Sequence, residues 1–249
     1  MTKLSVNVNK IALLRNSRGR DFPNVINFAK KFIDLGVHGI TVHPRQDERH
    51  ITVKDAYELA ELLKDYPNVE FNIEGFPSKD FLKIIADTQP DQCTLVPDGV
   101  NQITSDHGWD LTKYQNKITQ LAKEIRDYGV RSAVFLDPEI NQVELVSKTA
   151  VDRIELYTEE FASNFGKKSQ DSILKKYADA SSLAQKLGLE VNAGHDLDSK
   201  NLSTFLQIPK ILEVSIGHVL TIECIEQGMQ NVIKTYLDIC SHSNQNETN

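Results

Sequence analysis

Cysteine is scarce: Cys93, Cys224 and Cys240 are the only three in 249 residues, an odd set without metal-ligand spacing. They offer no soft metal site, and a reducing cytoplasm is their natural setting. No stretch approaches the roughly 18 apolar residues of a membrane-spanning helix. Met1-Thr2-Lys3-Leu4-Ser5 lacks the apolar core of a signal segment. Positive charge is in deficit, 28 Lys and Arg against 35 Asp and Glu, for a net charge of −7. That argues against a nucleic-acid partner while leaving room for basic pockets that take small anions, and the lack of an apolar span argues against a membrane one. Linker-like breaks and low-complexity runs are missing too.

What is present suits a protein with a sizeable core, 40% hydrophobic and 25% charged. The length admits one large α/β domain or two small ones. Short strand-like runs recur at Leu4–Val8, Gly39–His43, Val69–Ile73, Gln92–Val96, Ser132–Leu136, Arg153–Leu156, Leu189–Ala193 and Leu212–Ile216. Between them lie apolar stripes at helical spacing, such as Val25, Phe28, Ala29, Phe32 and Ile33, or Ile118, Leu121, Ala122 and Ile125. Thr52 with Asp55 reads as a capping box and Ser78 as an N-cap. Phe161 to Gly166 reads as loop, and Ile225, Met229, Val232, Ile233 and Tyr236 as the stripe of one last helix. Eight strands alternating with eight helices predict parallel strands and a closed α/β (β/α)8 TIM barrel over residues 1–240. Ser241–Asn249 reads as a polar tail that frays. A doubly wound sheet is the alternative, but its Gly-rich phosphate turn after the first strand is missing.

In a closed barrel the carboxyl ends of all strands meet on one face, where active sites sit. Here they carry Asn7 and Asn9, His43 with Arg45, Glu74, Pro97 with Thr104 further on, Asp137, Glu155, His195, and Gly217-His218. A charged loop after a strand is often only a solvated surface, but three of seven histidines at these ends favour a catalytic mouth. Histidine and carboxylate move protons near neutral pH, so His43, Glu74 and His195 are candidate acids and bases; each is alternatively a hydrogen-bonded structural side chain. No metal is expected, because Asn7-Val8-Asn9 stands where a barrel metal hydrolase has a His-x-His pair. Gly194 and Gly217 follow strands seven and eight, where barrels commonly bind phosphate. Arg15, Arg18, Arg20, Arg45 and Arg49 supply forked donors that suit phosphate. The residues alone read as a metal-free acid–base enzyme for small phosphorylated, carbonyl-bearing substrates.

The same residues resemble a known family. Asn7 with Leu14-Arg15-Asn16-Ser17-Arg18-Gly19, and Gly39–Val42 with His43, Arg45, Asp47, Arg49, His50 and Ile51, are similar to pyridoxine 5′-phosphate synthase. Asn72-Ile73-Glu74, Leu95-Val96-Pro97, Val191-Asn192-Ala193-Gly194-His195 and Ser215-Ile216-Gly217-His218 continue the resemblance, which runs from about residue 4 to 237. It implies a barrel with extra helices, assembled as a homo-octamer built from dimers. It also implies condensation of 1-deoxy-D-xylulose 5-phosphate with 3-amino-2-oxopropyl phosphate, without cofactor, to pyridoxine 5′-phosphate, phosphate and water. His43 and Glu74 would be proton acceptors and His195 a proton donor. The amino-ketone phosphate would lie near Asn7, Arg18, Asp196, Gly217 and His218, and the deoxyxylulose phosphate near Asn9, Lys10, Arg45, His50 and Thr104. Arg18 would reach into the neighbouring subunit's site, and the connection Asp98–Asp110 would serve as a lid.

The chain departs from the family's pattern in three places. Asn9-Lys10 stands where Asp-His is common, Asp98-Gly99-Val100 replaces a more charged segment, and Asp196 occupies a position where glycine is usual. Two other readings stay open. A phosphosugar isomerase or aldolase would want a Schiff-base lysine at a strand end, where the sixth strand offers Arg153 and Glu155. A catalytically silent phosphate-binding barrel is opposed by the intact His43, Glu74 and His195.

Overall fold

Eight parallel strands close into a barrel in the computed structural model, which describes residues 1–99, 102 and 104–242. The strands are β1 (Lys3–Asn7), β2 (Gly39–Val42), β3 (Glu70–Gly75), β4 (Gln92–Leu95), β5 (Arg131–Leu136), β6 (Arg153–Tyr157), β7 (Glu190–Gly194) and β8 (Ile211–Ile216). They pair in chain order and β8 returns to β1, as the alternation predicted. Around them lie α1 (Asn9–Asn16), α2 (Val25–Asp34), α3 (Val53–Leu63), α4 (Lys79–Thr88), α5 (Leu111–Asp127), α6 (Ile140–Val146), α7 (Glu159–Asn164), α8 (Gln170–Lys186), α9 (Leu202–Phe205), α10 (His218–Gln227) and α11 (Met229–His242).

The predicted caps are in place. Thr52 and Asp55 form a reciprocal capping box on α3, and the Ser78 hydroxyl accepts the Phe81 N–H at 3.1 Å on α4. Three helical features differ from the sequence reading. α1 buries only Ile11 and Ala12, and α7 only Phe161, so neither shows an apolar stripe. The last helix is two helices, because Gly228 takes φ +84 and breaks the ladder. Ile225 therefore belongs to α10 and is 70% exposed, while Val232, Ile233 and Tyr236 of α11 enter the core.

Strand period sorts the side chains into two environments. Leu4, Val6, Ile40, Val42, Ile73, Ile154, Leu156 and Val191 join helix residues in one apolar shell. The alternate positions are polar, unlike the branched aliphatic filling usual in such barrels. Ser5 bonds Thr41 at 2.7 Å, and Thr94 donates to Asn72 at 3.0 Å. Gln92 Oε1 accepts from Arg131, Arg153 and Asn192 at 3.1, 3.2 and 3.3 Å. Most members of this lumen satisfy one another, while Glu155 Oε2 and Asn192 Oδ1 have no hydrogen-bond partner among the described residues.

Residues 100, 101 and 103 of the connection read as a lid, and 243–249 of the segment read as a tail, lie outside the described residues. Ser241 and His242 close α11. Among the described residues no helix is long and apolar enough to cross a membrane.

Candidate active site

The carboxyl ends of the strands surround a cavity of about 440 Å³. Asn7, Asn9, Lys10, His43, Arg45, His50, Glu74, Thr104, His195, Asp196, Gly217 and His218 all line it. Of the residues that the resemblance implies, Arg18 does not: it is exposed in the turn after α1, and the strand-end residues Pro97, Asp137 and Gly194 do not line the cavity either. The five arginines divide in the same way. Arg45 and Arg49 face the cavity, while Arg20 is exposed elsewhere. Arg15 is a structural clamp instead of a phosphate donor, because both its terminal nitrogens bind the buried Asp55 carboxylate.

Side chains after β1 set the height of His43. Asn7 Oδ1 accepts the Asn9 N–H at 3.0 Å, and Asn9 Oδ1 accepts the His43 N–H at 2.9 Å. Asn9 is thus already engaged in holding the end of β2. Burial, reinforced by the Arg45 guanidinium, pushes the His43 imidazole well below its ordinary range. His50 Nδ1 accepts the Ile51 N–H at 2.9 Å, which leaves its proton on Nε2. Burial and then Arg45 push His50 down to about 4, so at neutral pH it is an uncharged imidazole with a donor at Nε2. His195 packs against Phe135 and Tyr157, with ring centroids 4.8 and 5.3 Å away. Burial lowers its pKa, and the neighbouring Asp196 opposes that.

Carboxylates gather beneath these histidines. Burial, then the nearby Glu155, raises Glu74 well above the ordinary carboxyl range. Glu155 itself is pushed up to about 8 by burial and then Glu213, and Glu213 up to about 7 by burial and then Glu70. Closely placed buried acids share protons, so the group carries exchangeable protons at neutral pH. Among the described residues no three His, Cys, Asp or Glu side chains are grouped to hold a metal ion.

Residues 4–242 match the family model described as pyridoxal phosphate biosynthesis protein PdxJ. The chain belongs to this family. Proteins named pyridoxine 5′-phosphate synthase support the assignment. That of Christiangramia forsetii is 48% identical, covering 96% of this chain and 99% of its own. That of Cytophaga hutchinsonii is 44% identical, covering 95% and 98%. The chain is accordingly an enzyme of pyridoxine biosynthesis. Two solved structures resemble the fold alone. KGPDC from Streptococcus mutans has TM-score 0.64 at 12% identity, covering 97% of this chain and 98% of its own. Phosphoribosyl anthranilate isomerase from Thermus thermophilus has TM-score 0.59 at 10% identity, covering 96% and 100%.

Within this PdxJ-family site, Glu155 and Tyr157 are cavity residues to which sequence reasoning gave no role. The signal was there for Glu155, an acid between the buried Ile154 and Leu156, as for Glu74 after Ile73. Its Oε2 has no hydrogen-bond partner among the described residues. Gly194 makes room for it, since a Cβ there would lie 2.3 Å from Glu155 Oε1. A folded-state pKa of about 8, against the ordinary 4.5, means that the folded chain binds this proton more tightly than the unfolded chain. Stability from Glu155 is therefore complete below about pH 4.5 and lost as pH rises toward 8. Glu155→Gln is expected to flatten that fall, giving a higher Tm than wild type at pH 8 and a similar one at pH 5. Thermal denaturation across pH measures this, and parallel curves for the two proteins would refute it.

Arg45 is also committed in this structure. Its guanidinium pairs with the buried Asp98 at 2.6 Å and donates to the Gln102 carbonyl at 2.7 Å. Ser105 adds a 2.7 Å bond to Asp98. The far end of the same connection is anchored by Trp109, whose Nε1–H donates to the Leu95 carbonyl at 3.0 Å.

Proposed function

We propose that this cavity condenses 1-deoxy-D-xylulose 5-phosphate with 3-amino-2-oxopropyl phosphate by general acid–base catalysis. One observation carries the reading: His43, Glu74 and His195 converge on a single cavity whose rim holds Lys10, Arg45, Arg49 and His218. Glu74 and His43 accept protons, and His195 donates one. The imine-forming attack of amine on ketone, the loss of water, the expulsion of phosphate and the ring closure all move protons. Holding two anionic substrates side by side supplies much of the remaining advantage. The negative charge they bring raises the pKa of His195, so its donor role begins when the site fills.

The deoxyxylulose phosphate lies near Asn9, Lys10, Arg45, His50 and Thr104, and the amino-ketone phosphate near Asn7, Asp196, Gly217 and His218. A phosphate that takes Arg45 displaces Asp98, which ties substrate binding to the connection after β4. Mixing the purified chain with both substrates and assaying pyridoxine 5′-phosphate and released phosphate tests the proposal. No turnover by folded protein would sink it.

Arg18 completes the site from a neighbouring subunit of a homo-octamer in this reading. Its position outside the cavity supports that, as do exposed apolar side chains such as Phe22, at 79%. Arg18→Ala and Glu74→Gln subunits, each inactive alone, are expected to regain activity when mixed. Random reassembly of dimers restores about a quarter of the sites. A mixture no better than its parents would refute sharing between subunits. A cytoplasmic setting suits the three free thiols.

A further inference from the structure

The turn after β7 is strained at two successive residues. His195 has φ +78 and Asp196 φ +57, a region that L side chains resist and glycine enters freely. Three carbonyls in a row there meet donors from two buried side chains. The single Thr158 hydroxyl proton is shared between the Gly194 carbonyl, 2.6 Å from Oγ1, and the His195 carbonyl, and the Gly194 carbonyl also accepts the Thr158 backbone N–H at 3.0 Å. Asn201 Nδ2 donates to the Asp196 carbonyl at 3.1 Å. Asn201 is itself fixed, because its Oδ1 accepts the Asp198 N–H at 2.9 Å and its own N–H donates to Asp198 Oδ1 at 2.7 Å. Thr158 is 0% and Asn201 2% exposed, so water does not compete for these bonds.

With the carbonyls held, the N–H groups of Asp196 and Leu197 find no acceptor among the described residues, while that of His195 faces Ser215 in the β7–β8 ladder. Both residues line the cavity, and successive free N–H groups in such a turn form a concavity that suits an anion. The same restraint sets the direction in which the His195 ring leaves the backbone, between Phe135 and Tyr157.

We propose that Thr158 and Asn201 are positioning residues that hold His195 and the adjoining N–H groups in reactive geometry. Asn201 does so by restraining an aspartate in a conformation that favours glycine. The inference rests on His195 acting in the reaction, and its test separates the two claims. Asn201→Ala in the full chain is expected to lower kcat about tenfold or more. It also shifts the His195 imidazole resonance and lowers Tm by about 2–4 °C. In an Asp196→Gly background the same substitution is expected to change kcat by less than about threefold, with a smaller Tm loss and little shift of the resonance, because glycine needs no restraint. Thr158→Val shifts the His195 resonance in both backgrounds.

Equal effects of Asn201→Ala with Asp196 and with Gly at that position would overturn the proposal, as would an unmoved His195 resonance. A purely structural Asn201 moves Tm alone and likewise overturns it. Tm and the resonance do not depend on turnover, so they decide the matter even if the condensation reading fails.

Discussion

Glu74→Gln is expected to lower kcat by about 10²-fold or more at neutral pH while the protein folds normally. The carboxyl is buried at the cavity floor beside Glu155, with Asn72 Nδ2 3.5 Å from its Oε1. Its ionised form is disfavoured there, so the carboxylate, once formed, is a stronger base than an exposed one. Glutamine keeps the shape and the hydrogen bond but accepts no proton. Because the folded-state pKa is raised, stability attributable to Glu74 declines as pH rises above the ordinary carboxyl value. Above neutral pH the variant is therefore expected to be no less stable than wild type. His195→Asn is expected to lose activity to a similar degree, since the amide fills the space between Phe135 and Tyr157 without carrying a transferable proton. Steady-state kinetics together with thermal melts check both variants. Wild-type rates in either would remove the role assigned to that residue.

Asp55→Ala is expected to cost roughly 3–5 kcal/mol of stability, on the order of 10 °C in Tm. The carboxylate receives both terminal nitrogens of Arg15 and, through the capping box, the Thr52 N–H at 2.8 Å. Removing it leaves the largely enclosed Arg15 guanidinium without its carboxylate and takes away the half of the α3 capping box that holds the Thr52 N–H, while the Thr52 hydroxyl still accepts the N–H of residue 55. The effect extends to the cavity, because Arg15 and Asn16 donate to the His50 carbonyl at 3.3 and 2.8 Å and so hold the segment that carries Arg49 and His50. A raised KM for the substrate near His50 is the expected kinetic counterpart. Replacing both partners, as Arg15→Met with Asp55→Leu, is expected to recover much of the stability, since no buried charge then stands alone. A loss below about 1 kcal/mol for Asp55→Ala would show the pair to be solvated and dispensable.

The barrel and the residues at its mouth were legible in the sequence because their signals are local. A period-2 run, a capping pair such as Thr52 with Asp55, or a histidine directly after a strand is decided within a few residues. Once eight such units alternate, closure brings the strand ends together, and with them His43, Glu74 and His195. α1 and α7 escaped because each buries too little to leave a stripe, and the break at Gly228 escaped because the apolar spacing runs on across it.

What the tertiary structure alone decided concerns distances between elements remote in the chain. Arg15 and Arg45 look alike in sequence, yet one clamps Asp55 on α3 and the other faces the cavity beside Asp98. Glu155 joins Glu74 through the barrel lumen, and the neutral state of His50 follows from burial beside Arg45. The left-handed turn at His195 and Asp196 depends on Thr158 and Asn201, which reach it from other segments. Side-chain period belongs to the chain, whereas desolvation and the field of neighbouring charges arise only when the barrel closes.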